Sequence, residues 1–353
     1  MNQSFNTALL STLTQAAGVS GFEDGIRGVL LENLKGLVDS VEVDNIGNVY
    51  AYKKGEESNA PTLLVEAHID EIGYVVSHIE DKGFLRFHTL GGFDPKTFTA
   101  QRVQVHGRKT LTGVIGSRAI HSMKDEERAK APKQEDFFID LGLPKEEVVK
   151  YVSVGNPITR VGELIEIGNC VSSRSLDNRV SVFIILEALK KIQKCPYNLV
   201  ATFTVQEEVG LRGAMVAAHK IDPDFAICLD VTIANDTPGG GSGAERVSEL
   251  GEGAAIKILD GGVICDPRMV DFLRSTADRN SIKHQNDLLI LRAQTTTHML
   301  QLMGRKGAVA GGISIPTRYL HQTIETAHKE DITACIELLA AAIETVNKFH
   351  WER

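Results

Sequence analysis

Apolar positions along this chain change their period twice. Leu9, Leu10, Leu13 and Ala16-Ala17 recur at helical spacing, and Gly18 closes the segment. A second helix is expected from Glu23 to Leu37. Val41–Asp44 then alternates, Asn45-Ile46-Gly47-Asn48 turns, and Val49–Tyr52 resumes as a strand. Thr62–Val65 is a β-type apolar run leading into Glu66-Ala67-His68-Ile69-Asp70. From Tyr74 to Ile167 short strand-like stretches follow one another: Tyr74–Ile79, Phe84–Thr89, Arg102–Val105, Leu111–Ile115 and Leu164–Ile167. Gly and polar turns separate them, which predicts a small β barrel or sandwich. The charged stretch Lys124–Glu135 reads as an exposed loop. Beyond Ile167 the pattern alternates again. Helices are expected at Val180–Ile192, Ala214–His219, Val270–Asn280 and Asp331–Phe349, and strands at Leu199–Val205, Phe225–Leu229 and Gly312–Ile315. Such alternation predicts an α/β fold, a mixed, mainly parallel sheet with helices on both faces. The expected organisation is one α/β domain, residues 1–72 and 166–353, interrupted by a β domain at 73–165.

Composition narrows the function classes. With 353 residues, 42% hydrophobic and 24% charged, the chain has the make-up of a globular protein with a large core. Lys and Arg number 38 against 46 Asp and Glu, a formal charge of −8, and no basic run stands out. Nucleic acid and anionic membrane are therefore not expected partners. Five cysteines with no CxxC spacing point away from a disulfide framework and from a thiolate zinc site. The first residues lack a basic segment followed by an apolar run, and no apolar stretch approaches about 18 residues. A cytoplasmic protein is the expectation.

Candidate chemistry gathers where the predicted strands end. His68 and Asp70 follow one strand, Glu207 and Glu208 a second, Asp230 a third, and His321 comes a short connector after a fourth. Asp177 precedes the Val180 helix. Ligands of open α/β sheets lie outside the carboxyl ends of strands. Taken singly, each residue has a commoner role: surface acid, helix cap, turn histidine. Together they form a cluster of carboxylates that would repel itself, and divalent cations are the usual remedy. An N/O donor set without sulfur suits zinc, cobalt or manganese. One His, one shared Asp and one further carboxylate could hold each of two metals, which together activate water and polarise a carbonyl. A Glu beside that water would be the general base, and Asp70 could fix the His68 tautomer. Gly239-Gly240-Gly241 has neither P-loop nor dinucleotide spacing.

Ala67-His68-Ile69-Asp70-Glu71-Ile72-Gly73, Leu176-Asp177-Asn178-Arg179, Gln206-Glu207-Glu208-Val209-Gly210, Leu229-Asp230-Val231-Thr232, Asp236-Thr237-Pro238-Gly239 and Ile315-Pro316-Thr317-Arg318-Tyr319-Leu320-His321 occur in order across nearly the whole chain. Together they resemble the M42 family of dinuclear metallo-aminopeptidases, the TET-type and glutamyl aminopeptidase-like enzymes. The resemblance implies a zinc-exopeptidase-like α/β fold with a PDZ-like inserted dimerisation domain. It implies that His68, Asp177 and Asp230 bind one divalent metal, and that Asp177, Glu208 and His321 bind the other. Asp177 would bridge, Glu207 would be general base and acid, and Asp70 would orient. Zinc is the expected metal, with cobalt or manganese as alternatives. The implied substrates are peptides with a free N-terminus, and the implied assembly is a homo-oligomer of dimers closing into a hollow dodecamer.

One segment departs from the family pattern. Where the family carries Thr-Asp-Ala, this chain has Thr296-Thr297-His298. No role carries over to that segment. His298 reads as a polar loop residue and His121 as structural. The alternatives are another hydrolase on the same metals, a deacylase or a glucanase-type glycosidase, or a non-catalytic assembly protein with a decayed site.

Overall fold

The structure is a computed structural model that describes residues 5–128, 130–289 and 294–352. The chain opens with α1 (Thr7–Gln15) and α2 (Asp24–Leu34), then β1 (Ser40–Val43), β2 (Val49–Lys53) and β3 (Thr62–His68). The next stretch holds β4 (Gly73–Ile79), β5 (Leu85–Leu90), β6 (Arg102–His106), β7 (Thr110–Ser117), the one-turn α3 (Asp125–Arg128), β8 (Phe137–Asp140), α4 (Lys145–Tyr151) and β9 (Pro157–Arg160). There follow β10 (Ile165–Ile167), β11 (Cys170–Ser173), α5 (Leu176–Lys191), β12 (Asn198–Thr204), α6 (Arg212–Ile221), β13 (Phe225–Ile233) and β14 (Ala254–Leu259). The chain finishes with α7 (Pro267–Arg279), β15 (His284–Leu288), α8 (Thr297–Leu302), β16 (Val309–Arg318), β17 (Glu325–His328) and α9 (Lys329–Thr345).

The large sheet runs β1-β2-β12-β3-β13-β16-β17-β11-β10, with β14 and β15 attached beside β16. Its centre, β12-β3-β13-β16, is parallel. These strands are buried along nearly their whole length, which is why they read as unbroken apolar runs. Helix α5 is buried on all sides, wedged between the sheet and α1 and α9. Local signals set helix ends. In α7, Pro267 occupies the first turn and the Asp266 side chain accepts from the Arg268 N–H.

Strands β4-β5-β8-β7-β6-β9 close into a barrel. Tyr74, Phe87, Phe98 and Phe137 meet edge to face in its core. Leu164–Ile167, grouped above with the barrel strands, does something else. Strand β10 pairs with β11 at the edge of the large sheet, its apolar side chains exposed. β8 and β9 had no alternation strong enough to show in the sequence. Within the charged 124–135 stretch, α3 makes a short helical turn. No helix is long and apolar enough to cross a membrane among the described residues.

Candidate metal centre

Parallel pairing puts the ends of β3, β12, β13 and β16 at one edge, and the backbone there is unusual. Ser175, Gln206, Tyr319 and His321 all have left-handed φ, between 55° and 63°. Left-handed backbone costs a residue with a side chain roughly 1–2 kcal/mol, and such outliers gather at functional sites. Gln206 turns the chain just after β12, and Glu207 and Glu208, next along the chain, both line the cavity described below. His68 is the last residue of β3, paired with Thr204 of β12. Asp230 lies inside β13, not beyond it, because that strand continues to Ile233 against β16. Asp177 stands at the head of α5 with non-helical backbone, its N–H donating to Glu325 Oε2 at 2.9 Å.

The predicted residues converge. His68 Nε2 lies 3.2 Å from Asp177 Oδ1 and 3.7 Å from Asp230 Oδ1. On the other side, His321 Nε2 lies 3.3 Å from Asp177 Oδ2 and 3.5 Å from Glu208 Oε2. Asp177 thus offers one oxygen to each histidine. Potential donor atoms of His68, Glu207 and Asp230 fall within 4.8 Å of one another, as do those of His68, Asp177 and Glu208. All six side chains line one cavity of about 500 Å³. His121 is exposed outside it, and His298, on α8, does not line it.

The electrostatics are those of a site lacking positive charge. Burial pushes the Glu207 carboxyl well above its ordinary pKa, and Glu208, Asp230 and Asp70 add to the shift against the opposing pull of His68. Burial, with Asp177 and Asp70 beside it, takes Glu208 to about 8, and Asp230 is raised as well. Asp177 moves the other way: His321 and His68 overcome burial and hold it below the usual range. Burial opposes charge on both histidines, but the surrounding carboxylates prevail, raising His321 to about 10 and His68 well above 6.5. Among the described residues no Lys or Arg forms an ion pair with Asp177, Glu207, Glu208 or Asp230. Glu208 Oε1 is buried without a hydrogen-bond partner. An all-N/O donor set, excess carboxylate and an orphaned ligand oxygen fit divalent cations.

Supporting contacts hold these groups. Asp70 is fully buried and accepts from the N–H groups of Glu207 (2.9 Å) and Glu208 (3.1 Å) and from Ser20 Oγ (2.6 Å). Its Oδ1 is 3.4 Å from His68 Nδ1 without a hydrogen bond between them, so it holds the 207–208 turn more firmly than the imidazole. The barrel side holds His321. Its Nδ1 donates to the Gly92 carbonyl at 3.0 Å, which turns Nε2 toward Asp177 and Glu208, and Arg160 donates to the adjacent Gln322 carbonyl. A Cβ on Gly92 would lie 3.3 Å from that nitrogen, so a side chain there would press on the imidazole and shift it by a few tenths of an ångström. Sequence reasoning missed Gly92, Glu325 and Glu66. Glu66 was legible as an acid within an apolar strand run. It is fully buried and accepts hydrogen bonds from Thr204 and from Thr296 of the departing segment.

The sequence pattern of the M42 glutamyl aminopeptidase family matches residues 47–338. The chain belongs to this family. As an M42 enzyme it is a peptide hydrolase, and M42 peptidases depend on metal. It is 31% identical to the lysyl aminopeptidase of Pyrococcus furiosus, over 95% of this chain and 96% of that one. An aminopeptidase from Desulfurococcus kamchatkensis superposes with a TM-score of 0.91 at 38% identity, covering 96% of this chain and 94% of that one. The TET1 peptidase of Pyrococcus horikoshii, which assembles into a tetrahedron or a large octahedral shell, superposes at 0.83 and 29% identity, covering 95% and 98%.

Proposed function

We propose that this M42 enzyme is a dinuclear aminopeptidase that removes N-terminal residues from peptides. The shared carboxylate carries the reading: Asp177 presents one oxygen to His68 and the other to His321. His68, Asp177 and Asp230 would hold one divalent ion, and Asp177, Glu208 and His321 the other, zinc being preferred and cobalt or manganese usable. When bound, the two ions supply Lewis acidity toward the scissile carbonyl and toward water. Glu207 takes a proton from the attacking water at a carboxylate oxygen and returns it to the departing amine nitrogen. Asp70 keeps the 207–208 turn in place, and the Gly92 carbonyl keeps His321 in the tautomer with a free Nε2. A glycosidase would need two carboxylates free of metal facing a sugar, whereas all four carboxylates lining the cavity sit within the histidine cluster.

Residues 73–165 serve in this reading as the inserted dimerisation domain, and dimers close into a dodecamer that admits unfolded peptides. The enzyme works in the cytoplasm, in keeping with its five unpaired cysteines. The test uses protein stripped by chelation and reloaded with zinc, cobalt or manganese. Two ions per chain and cleavage of peptides with a free, but not an acetylated, N-terminus are expected. Undiminished turnover after stripping, or equal cleavage of acetylated peptides, overturns the proposal. Light scattering tests the dodecamer.

A further inference from the structure

The two histidines of the centre are held by different parts of the chain. His68 ends β3, in the middle of the large sheet, and its side chain is 2% exposed. His321 lies in the turn between β16 and β17, and its side chain is 39% exposed. That turn has left-handed φ at Tyr319 and at His321 itself, and the Gln322 N–H closes it on the Tyr319 carbonyl at 3.1 Å. A turn that leaves its sheet takes its position from what it touches, and this one touches the barrel.

Arg160, the last residue of β9, is 1% exposed. Its Nη1 donates to the carbonyl of Gln322, the residue after His321. Its Cζ stands 6.0 Å from the centre of the Phe93 ring. Phe93 stacks on Tyr74 of β4, the ring centroids 4.8 Å apart, and its neighbour Gly92 supplies the carbonyl that holds His321 Nδ1. One guanidinium therefore touches both chain segments that meet in the His321–Gly92 hydrogen bond. Gly162 lies at the same seam: a Cβ there would stand 3.1 Å from Ile324 Cγ2 and 3.3 Å from the Thr323 carbonyl oxygen. Nε and Nη2 of Arg160 are buried with no hydrogen-bond partner among the described residues. Burying a guanidinium with two idle nitrogens is costly, and an apolar side chain would fill the space without that cost. What the guanidinium alone provides is the grip on Gln322 and the cationic contact with Phe93.

We infer, resting on the dinuclear reading above, that Arg160 is a positioning residue for His321. From the inserted domain it fixes the imidazole where Nε2 meets Asp177 and Glu208, and so sets the affinity for the one ion that His321 ligates. The other ion draws His68 and Asp230 from the sheet and Asp177 from the head of α5, and depends on Arg160 much less. The physical ground is preorganisation. An imidazole already aimed has little freedom left to lose when the ion arrives, whereas one released on its turn loses that freedom on binding, at the expense of affinity.

The experiment titrates chelator-stripped enzyme with cobalt(II), following visible absorption and bound metal at equilibrium. The set is wild type, Arg160→Met, His321→Ala and the double variant. Wild type should take up two ions. Arg160→Met should weaken one of them on the order of 10- to 100-fold, as loss of a group that orients a metal ligand does, and leave the other nearly unchanged. In the His321→Ala background the same substitution should leave the remaining ion nearly unchanged. A difference between the two ions smaller than about threefold, or a loss above about threefold for the remaining ion in the His321→Ala background, overturns the inference and leaves the dinuclear reading standing. Wild type that takes up fewer than two ions overturns that reading and the inference with it. Arg160→Lys keeps the charge without the planar fork, and a loss of about threefold or more confined to one ion is expected. Should Arg160→Met not fold, Arg160→Lys decides by the same criteria. Failure of both to fold makes Arg160 a general support of the fold and overturns the inference.

Discussion

Asp70 and Glu71 are joined by one peptide bond, are both fully buried and are both held below the ordinary carboxyl range, yet they belong to two different clusters. Glu71 turns toward Arg174 and Arg179, both buried, and accepts further from Ser175 and the Gly18 N–H. Burial works against its charge, and the two guanidiniums outweigh it and hold its pKa below the ordinary value. That cluster is complete within the chain. Asp70 turns toward His68, Glu207 and Glu208, where carboxylates outnumber imidazoles and Glu207, Glu208 and Asp230 are all pushed upward. That cluster is incomplete. Burial and negative charge are common to both sides, so neither marks a ligand site. Carboxylate in excess of its histidine partners does.

The contrast can be broken or sharpened by substitution. The largest effect belongs to the incomplete side: Glu207→Gln should lower kcat by about 1,000-fold, as loss of a general base does. Metal analysis should still find both ions, and near-normal turnover would break the assignment. On the complete side, Glu71→Ala leaves two buried guanidiniums uncompensated, and urea unfolding should show a loss of about 3–5 kcal/mol. Activity per metal-loaded folded molecule should stay within about twofold. A variant of normal stability that has lost activity would merge the two clusters into one site.

Glu23 gives a smaller, pH-dependent effect. It is buried, accepts from the Gly21 and Gln206 N–H groups, and burial pushes its carboxyl to about 7 from 4.5. The folded chain therefore holds this proton more tightly than the unfolded chain. The associated stability is complete below about pH 4.5 and is lost as pH rises through 7, on the order of 3 kcal/mol in all. Glu23→Gln should flatten that slope in melting curves between pH 5 and 8 (a span set by the shift itself). An unaltered slope would assign it to other groups. Least of all, Glu32→Ala removes an ion pair whose side chains are each 70% exposed, and no resolvable change in melting temperature is expected.

Much of this organisation was readable before the fold. The parallel strands announced themselves as buried apolar runs, and six of the seven candidate residues line one cavity, with Asp70 buried behind them. The misreadings share a cause. Leu164–Ile167 has strand character, but sheet membership depends on a partner, β11, which local pattern does not name. Asp230 was placed after its strand because an acid interrupts the apolar run, yet β16 pairs straight past it. Gly92 left no signal, since its contribution is a backbone carbonyl delivered by a loop of the barrel.

By itself the sequence determined the alternation of elements, the interrupting β segment and the kinds of donor atom available. Those are local properties of spacing and side-chain chemistry. Tertiary structure alone decided that Asp177 stands between two histidines 253 positions apart in the chain (321 − 68). It also decided which acids are neutralised within the fold and which are left for a cation. Charge compensation depends on distances of a few ångströms between groups remote in sequence, and only the folded chain sets those distances.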